Sequence, residues 1–121
     1  MATSKLTFEE REAGDVTILA LSGQMLLDDG DLAFRRTIHD LLERGRRKIL
    51  LELGSLTSID SSGIGMIAAK LKTVRESGGD LKLLHLTARG QRAFGFAKLH
   101  LIFEAFDDEE TALKSFDSST R

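Results

Sequence analysis

The sequence predicts an α/β fold: a mixed, mostly parallel sheet with an N-terminal antiparallel hairpin and helices packed on it. Three observations carry the prediction. Short β-rich apolar runs alternate with segments whose apolar residues recur every three or four positions. The first two runs are joined by a Gly-Asp turn. The 121 residues contain no proline, low-complexity tract or repeat that would mark a linker. The expected organisation is one domain over residues 1–121 with its core from about 6 to 116. Met1 to Ser4 and the tail from Asp117 to Arg121 read as loose ends.

Leu6-Thr-Phe8 begins an alternating segment that runs into the charged stretch Glu9 to Glu12. Ala13-Gly-Asp15 supplies a turn, and Val16 to Leu21 follows as a second strand, ended by Gly23 and the cluster Asp28-Asp29-Gly30-Asp31. Phe34, Ile38, Leu41 and Leu42 then draw a helical stripe that stops at Gly45, a C′ residue. Ile49-Leu-Leu-Glu-Leu53 suits a strand buried on both faces. A loop is expected from Gly54 to Asp60, before a second helix marked by Ile64, Ile67, Ala68, Leu71 and Val74 and ended by Ser77-Gly78-Gly79. Leu81 to Leu86 is strand-like, and Ala88 to Lys98 is weakly helical because Gly90 and Gly95 lie within it. Leu101-Ile-Phe103 reads as a last short strand. Asp107-Asp-Glu-Glu110 offers an N-cap and an acidic first turn to a final helix through Phe116. Strand-helix-strand alternation after the hairpin implies right-handed crossovers and parallel neighbours.

Composition narrows the function classes. With no cysteine there is no disulfide, thiolate metal site or thiol catalysis, and a reducing cytoplasmic location is expected. Seventeen Lys and Arg against 19 Asp and Glu give a net charge of −2, so nucleic acid held by phosphate contacts is not an expected partner. The longest uncharged stretch, Val16 to Leu27, is 12 residues where a membrane helix needs about 20, and Glu9, Glu10 and Glu12 replace the basic start of a signal peptide. No membrane partner, metal or cofactor is expected. Arg44, Arg46, Arg47 and Lys48 read as solvated charge at a helix end.

The chemistry concentrates in Ser58-Ile-Asp-Ser-Ser-Gly-Ile-Gly-Met66, past a central strand and at the start of the second helix. One reading is plain capping, with Ser61 as the N-cap or first residue. Three details favour a contact site. Asp60, Ser61 and Ser62 are three candidate caps where one suffices. Gly63 and Gly65 each cost roughly 1 kcal/mol relative to alanine in the first turns. Helical projection puts Ser62, Met66, Ala69 and Thr73 on a stripe away from the core, small enough for a partner to approach closely.

Enzymatic readings fare worse. Gly63-Ile-Gly65-Met-Ile-Ala68 fits G-x-G-x-x-A, but the preceding strand does not feed directly into Gly63, and the next strand ends His85-Leu86-Thr87 without an acid. A serine hydrolase would have to bring His85 to Ser61, and no G-x-S-x-G elbow is present. His39 and His100 read as surface or boundary residues, and no histidine pair has ligand spacing. The expectation is a protein without catalytic residues.

Ile59-Asp60-Ser61-Ser62-Gly63-Ile64-Gly65, preceded by Ile49 to Leu53 and followed by Gly78 to Leu84, resembles the STAS domain of anti-sigma factor antagonists. The resemblance covers nearly the whole chain, from about Leu6 to Phe116. It implies that Ser61, the serine directly after the aspartate, is phosphorylated by a partner that is both anti-sigma factor and serine kinase. It further implies release of a sigma factor on binding and a serine phosphatase as a further candidate partner. On the contact-site reading, Asp60, Ser62, Gly63, Gly65, Met66, Ala69 and Thr73 are the expected partner-binding positions. The alternative is a scaffold or interaction STAS domain of another signalling or transport complex, in which Ser61 is only a cap. One stretch departs from the family: where many members carry G-E-[LI]-D after the second strand, this chain has Gly23-Gln24-Met25-Leu26, with acids only at Asp28, Asp29 and Asp31. That loop belongs to the partner surface in the family, so binding mode is expected to differ there.

Overall fold

The computed structural model describes residues 6–25, 29–96 and 102–119. Its elements follow the predicted order: β1 (Thr7–Ala13), β2 (Val16–Met25), α1 (Asp29–Glu43), β3 (Lys48–Ile59), α2 (Ser61–Glu76), β4 (Asp80–Leu84), α3 (Ala88–Phe96), β5 (Ala105–Phe106) and α4 (Glu109–Ser119). The strands form one sheet in the order β1-β2-β3-β4-β5. β1 and β2 are an antiparallel hairpin closed by Gly14-Asp15, and every later pairing is parallel.

β3 is the largest departure from expectation. The segment from Gly54 to Ile59, read as a loop, continues the strand and pairs Ser22–Met25 of β2 through two register shifts. Ala20 faces Glu52 but Ser22 faces Ser55, and Gly23 faces Leu56 but Gln24 faces Ser58. Each shift leaves β3 one residue longer than its partner, which is a β-bulge. Gly54 and Thr57 therefore mark bulges in a strand that continues, not a turn.

Two smaller corrections lie at the C-terminal end. The last strand is Ala105–Phe106, where the Leu83 amide donates to the Glu104 carbonyl and the His85 amide to the Phe106 carbonyl. Of the predicted Leu101-Ile-Phe103, Leu101 lies outside the described residues, Ile102 is exposed in a turn and Phe103 is a buried anchor. α4 runs on to Ser119, through part of the tail read as loose, because no glycine or proline stops it after Phe116. Lys98, His100, Leu26, Leu27 and Asp28 lie outside the described residues.

Helix ends were the most legible feature. After α1 the Gly45 amide donates to the Leu42 carbonyl and the Arg46 amide to Leu41; after α2 the Gly78 amide donates to Arg75 and that of Gly79 to Val74. Both are Schellman caps, and Gly45 and Gly78 take the required left-handed φ of 81° and 93°. The basic run after α1 is tied down rather than merely solvated. Arg44 pairs with Glu10 and Asp40, Arg46 donates to the Thr17 hydroxyl, Arg47 to the Ser77 carbonyl, and Lys48 to Asp15.

The sheet divides the core in two. On one face Leu19, Leu21, Ile49, Leu51, Leu53, Leu81 and Leu83 pack against Phe34, Ile38 and Leu41 of α1 and Ile64, Ile67, Leu71 and Val74 of α2. On the other, Val16, Ile18, Leu50 and Leu84 meet Ala112 and Phe116 of α4, with Ala13, Phe106 and Leu113 packed at the margin. α2 therefore starts at the carboxyl end of the central strand and presents its outer flank away from the larger core.

Candidate functional site

β3 ends at Ile59, and Asp60 turns the chain into α2. Its backbone is extended (φ −106°, ψ −176°), its carboxylate accepts the Gly63 amide at 2.9 Å, and its carbonyl accepts the Ile64 amide at 3.0 Å. Asp60 is thus the N-cap and Ser61 the first helical residue. The Gly63 amide is capped by the Asp60 carboxylate. The Ser61 side chain lies outside the described ones. With the amides of Gly63 and Ile64 taken by Asp60, those of Ser61 and Ser62 are the first-turn donors that the helix itself cannot satisfy.

The Asp60 amide reaches the Met25 carbonyl at 3.4 Å, which ties the start of α2 to the end of β2. Gly63 is pressed into the same junction. A Cβ there would stand 2.6 Å from the Met25 carbonyl oxygen and 2.9 Å from Ile59 Cγ1. Gly63 is buried and does not belong to an outward contact surface; it is a glycine because strand and helix meet too closely for a side chain. Gly65, two residues on, is exposed with open space around it.

The remaining stripe positions split by exposure. Ala69 is exposed; Ser62 and Thr73 are half-buried, and the Thr73 hydroxyl donates back to the Ala69 carbonyl at 3.2 Å. Met66 is half-buried and packs against the larger core cluster, so its side chain serves packing and surface together. At the neighbouring end of β2, Gln24 is exposed and Met25 is buried against Gly63; Leu26 lies outside the described residues. The outer flank of the first turns of α2 is thus small and uncharged, with Asp60 at its head.

His85 is held on the side of the sheet away from α2. Its Nδ1 lies 2.7 Å from Glu52 Oε2, and Glu52 alternates with Leu51 and Leu53 so as to share the α4 face with Leu50. α2 packs on the opposite face. Beside β3, residues including Leu53, Leu56, Leu86 and Gly90 line a cavity of about 20 Å³, room for roughly one water. Among the described residues no cluster of three metal-ligating side chains occurs, and no helix is long and apolar enough to cross a membrane. One pairing escaped the sequence reading: Lys70, only 8% exposed, holds its ammonium 3.2 Å from His39 Nε2 across the α1–α2 seam. Nothing in the spacing of two residues on different helices signals that contact.

Comparison with known proteins places this geometry in a context. The STAS domain family model matches residues 7–112. A Thermotoga neapolitana protein named as a candidate anti-sigma factor antagonist is 31% identical over 100 residues, covering 83% of this chain and 88% of that one. The anti-sigma F factor antagonist of Paenibacillus polymyxa is 26% identical over 93% of this chain and 96% of its own length. The crystal structure of a Thermotoga maritima candidate anti-sigma factor antagonist superposes with a TM-score of 0.84 at 27% identity, covering 91% of this chain and 94% of that one.

Proposed function

The chain belongs to the STAS domain family of anti-sigma factor antagonists, and from that premise we propose that it is a phosphorylation-switched antagonist that binds an anti-sigma factor/serine kinase and so frees a sigma factor. The docking surface in this reading is the outer flank of α2, with Ser62, Gly65, Met66, Ala69 and Thr73 in contact and Ser61 as the phosphorylated residue. The protein acts by binding and has no catalytic residues of its own; its place of action is the cytoplasm, where the kinase and sigma factor are. A serine phosphatase would reset the switch.

The observation that supports the reading lies at the head of α2: Asp60 is the N-cap and Ser61 the first helical residue, at the carboxyl end of the central strand. The physics of the switch follows. A phosphoryl group on Ser61 adds about −1.5 to −2 charges at neutral pH. At a helix N-terminus the dipole and the amides of Ser61 and Ser62 favour that charge, so the fold is retained. The same charge stands beside the Asp60 carboxylate at the head of two otherwise uncharged turns, where it and its bulk oppose a partner that docks on small residues. Modification therefore changes binding locally, with little rearrangement.

The test is intact-mass analysis of the protein recovered from its own cells with its bound partners. A form heavier by about 80 Da (one phosphoryl group) that maps to Ser61 and is lost in Ser61→Ala is the expected result. Stoichiometric modification of Ser61→Ala would show that the site lies elsewhere. A stable complex with no modified form at all would favour the scaffold reading.

A further inference from the structure

Lys70 sits in an environment that its charge does not explain. It is 8% exposed, and burial together with the positive charge of Arg35 holds its ammonium below the ordinary lysine value. Among the described residues its hydrogen-bond partner is His39 Nε2 at 3.2 Å. An ammonium has only hydrogens to give, so in this contact Lys70 donates and His39 Nε2 accepts. Arg35 lies one turn before His39 on the same flank of α1. Among the described residues no carboxylate comes within 4.0 Å of Arg35, His39 or Lys70, whereas Arg11, Arg44, Arg75 and Lys82 each have one. A buried cation ordinarily has an anionic partner, because desolvation without one is costly.

We propose that Arg35, His39 and Lys70 form a receptor for a single carboxylate, an aspartate or glutamate side chain of the protein that docks on α2. The proposal rests on the reading of α2 as the docking helix. Two observations select this occupant. The cluster presents donors and no acceptor save the already occupied His39 Nε2, which suits an oxyanion. It also borders the small-residue stripe, since Lys70 follows Met66 by four residues and precedes Thr73 by three, so both are its neighbours on the helix surface. A partner lying along Met66, Ala69 and Thr73 therefore meets the ammonium at the edge of the contact. The bound carboxylate would supply a countercharge, and its hydrogen bonds to charged donors are of the stronger kind.

The experiment is an NMR titration of the full chain with acetyl-Glu-Glu-Glu-amide at ionic strength held constant with sodium chloride, read at the Arg35, His39 and Lys70 side chains. Saturable shifts confined to these residues, with at least tenfold weaker binding in Lys70→Met and in the exposed-site variant Arg35→Gln, are expected. A glutamine tripeptide should produce none. Equal shifts with the glutamine peptide, unchanged titration of Arg35→Gln, or no saturable shift at all would overturn the proposal. Saturation by inorganic phosphate without response to the glutamate peptide would also overturn it, in favour of a free-anion site. Ser61 chemistry is not read in this titration, so failure here leaves the phosphorylation reading standing, and an unmodified Ser61 leaves the receptor standing.

Discussion

On the α1/α2 face the sheet is closed by apolar side chains from two helices, while on the α4 face a single helix closes it with help from polar ties. Lys82, 1% exposed, donates to the Ser115 carbonyl and hydroxyl, pairs with Glu104 and lies 4.6 Å from the Phe116 ring centroid. Glu52 holds His85, and Arg11 holds Glu109. The contrast has a consequence for function. On the α1/α2 face the polar ties Arg44–Glu10, Lys70–His39 and Arg75–Asp80 lie away from the first two turns of α2, whose outer flank is small and uncharged. The α4 face keeps its charges in fixed pairs, where a docking partner would have to break them.

The largest test of this contrast is a pair of cavities. Phe34 and Phe116 are 0% and 1% exposed, one on each face. Phe34→Ala should cost about 3–5 kcal/mol, because the site is sealed between α1, the sheet and Phe8, whose ring stacks on Phe34 at 6.4 Å. Phe116→Ala should cost at least about 1 kcal/mol less, since one helix covers that face and the Lys82 ammonium can draw water into the space. Urea unfolding of both variants measures the difference, and equal losses would mean that the two faces are closed equally well.

A second comparison lies within one turn of α2. At Gly63 an added methyl meets the Met25 carbonyl, a backbone atom that cannot swing aside; at Gly65 it meets open space. Gly63→Ala should therefore destabilise by about 1–3 kcal/mol through overpacking, even after the gain in helix propensity. Gly65→Ala should stabilise by up to about 1 kcal/mol and, in the proposed function, weaken partner binding. Opposite signs in thermal unfolding two residues apart would mark where the inner side of the site ends and the outer begins.

The same pair shows what the sequence could and could not reveal. Both glycines were legible as anomalies in a helix, and only the position of Met25, far away in the chain, separates the buried one from the exposed one. The ends of α1 and α2 were readable because the stripe through Phe34, Ile38 and Leu41 and the glycines Gly45 and Gly78 are local signals, whereas α4, with no such glycine, runs past its expected end. The length of β3 was not, because Gly54, Ser55, Thr57 and Ser58 are equally good turn and bulge residues; the pairing with β2 decides between them. Asp60 and Ser61 were interchangeable as caps until the Gly63 amide was seen to choose the aspartate. The Lys70–His39 contact is tertiary altogether.

The smallest expected effect separates the two faces by acid. Asp108 accepts the Thr111 amide and hydroxyl at the start of α4, and these hold its carboxyl below the ordinary 3.8; the Arg11 guanidinium likewise holds Glu109 below 4.5. A group whose folded value is depressed contributes stability above its unfolded value and loses it as pH falls through the folded one. Both groups are exposed to solvent, so the contribution is modest and weakens with salt. It acts at the head of α4, whereas Ile64, Ile67 and Leu71 hold the first half of α2 to the sheet by apolar packing. Below about pH 4 the amide NMR signals of Glu109 to Ala112 should broaden or shift before those of Ile64 to Leu71. If α2 responded first, the packed face would not be the one that is insensitive to charge, and the outer flank of α2 would lose its structural reason for carrying so little of it.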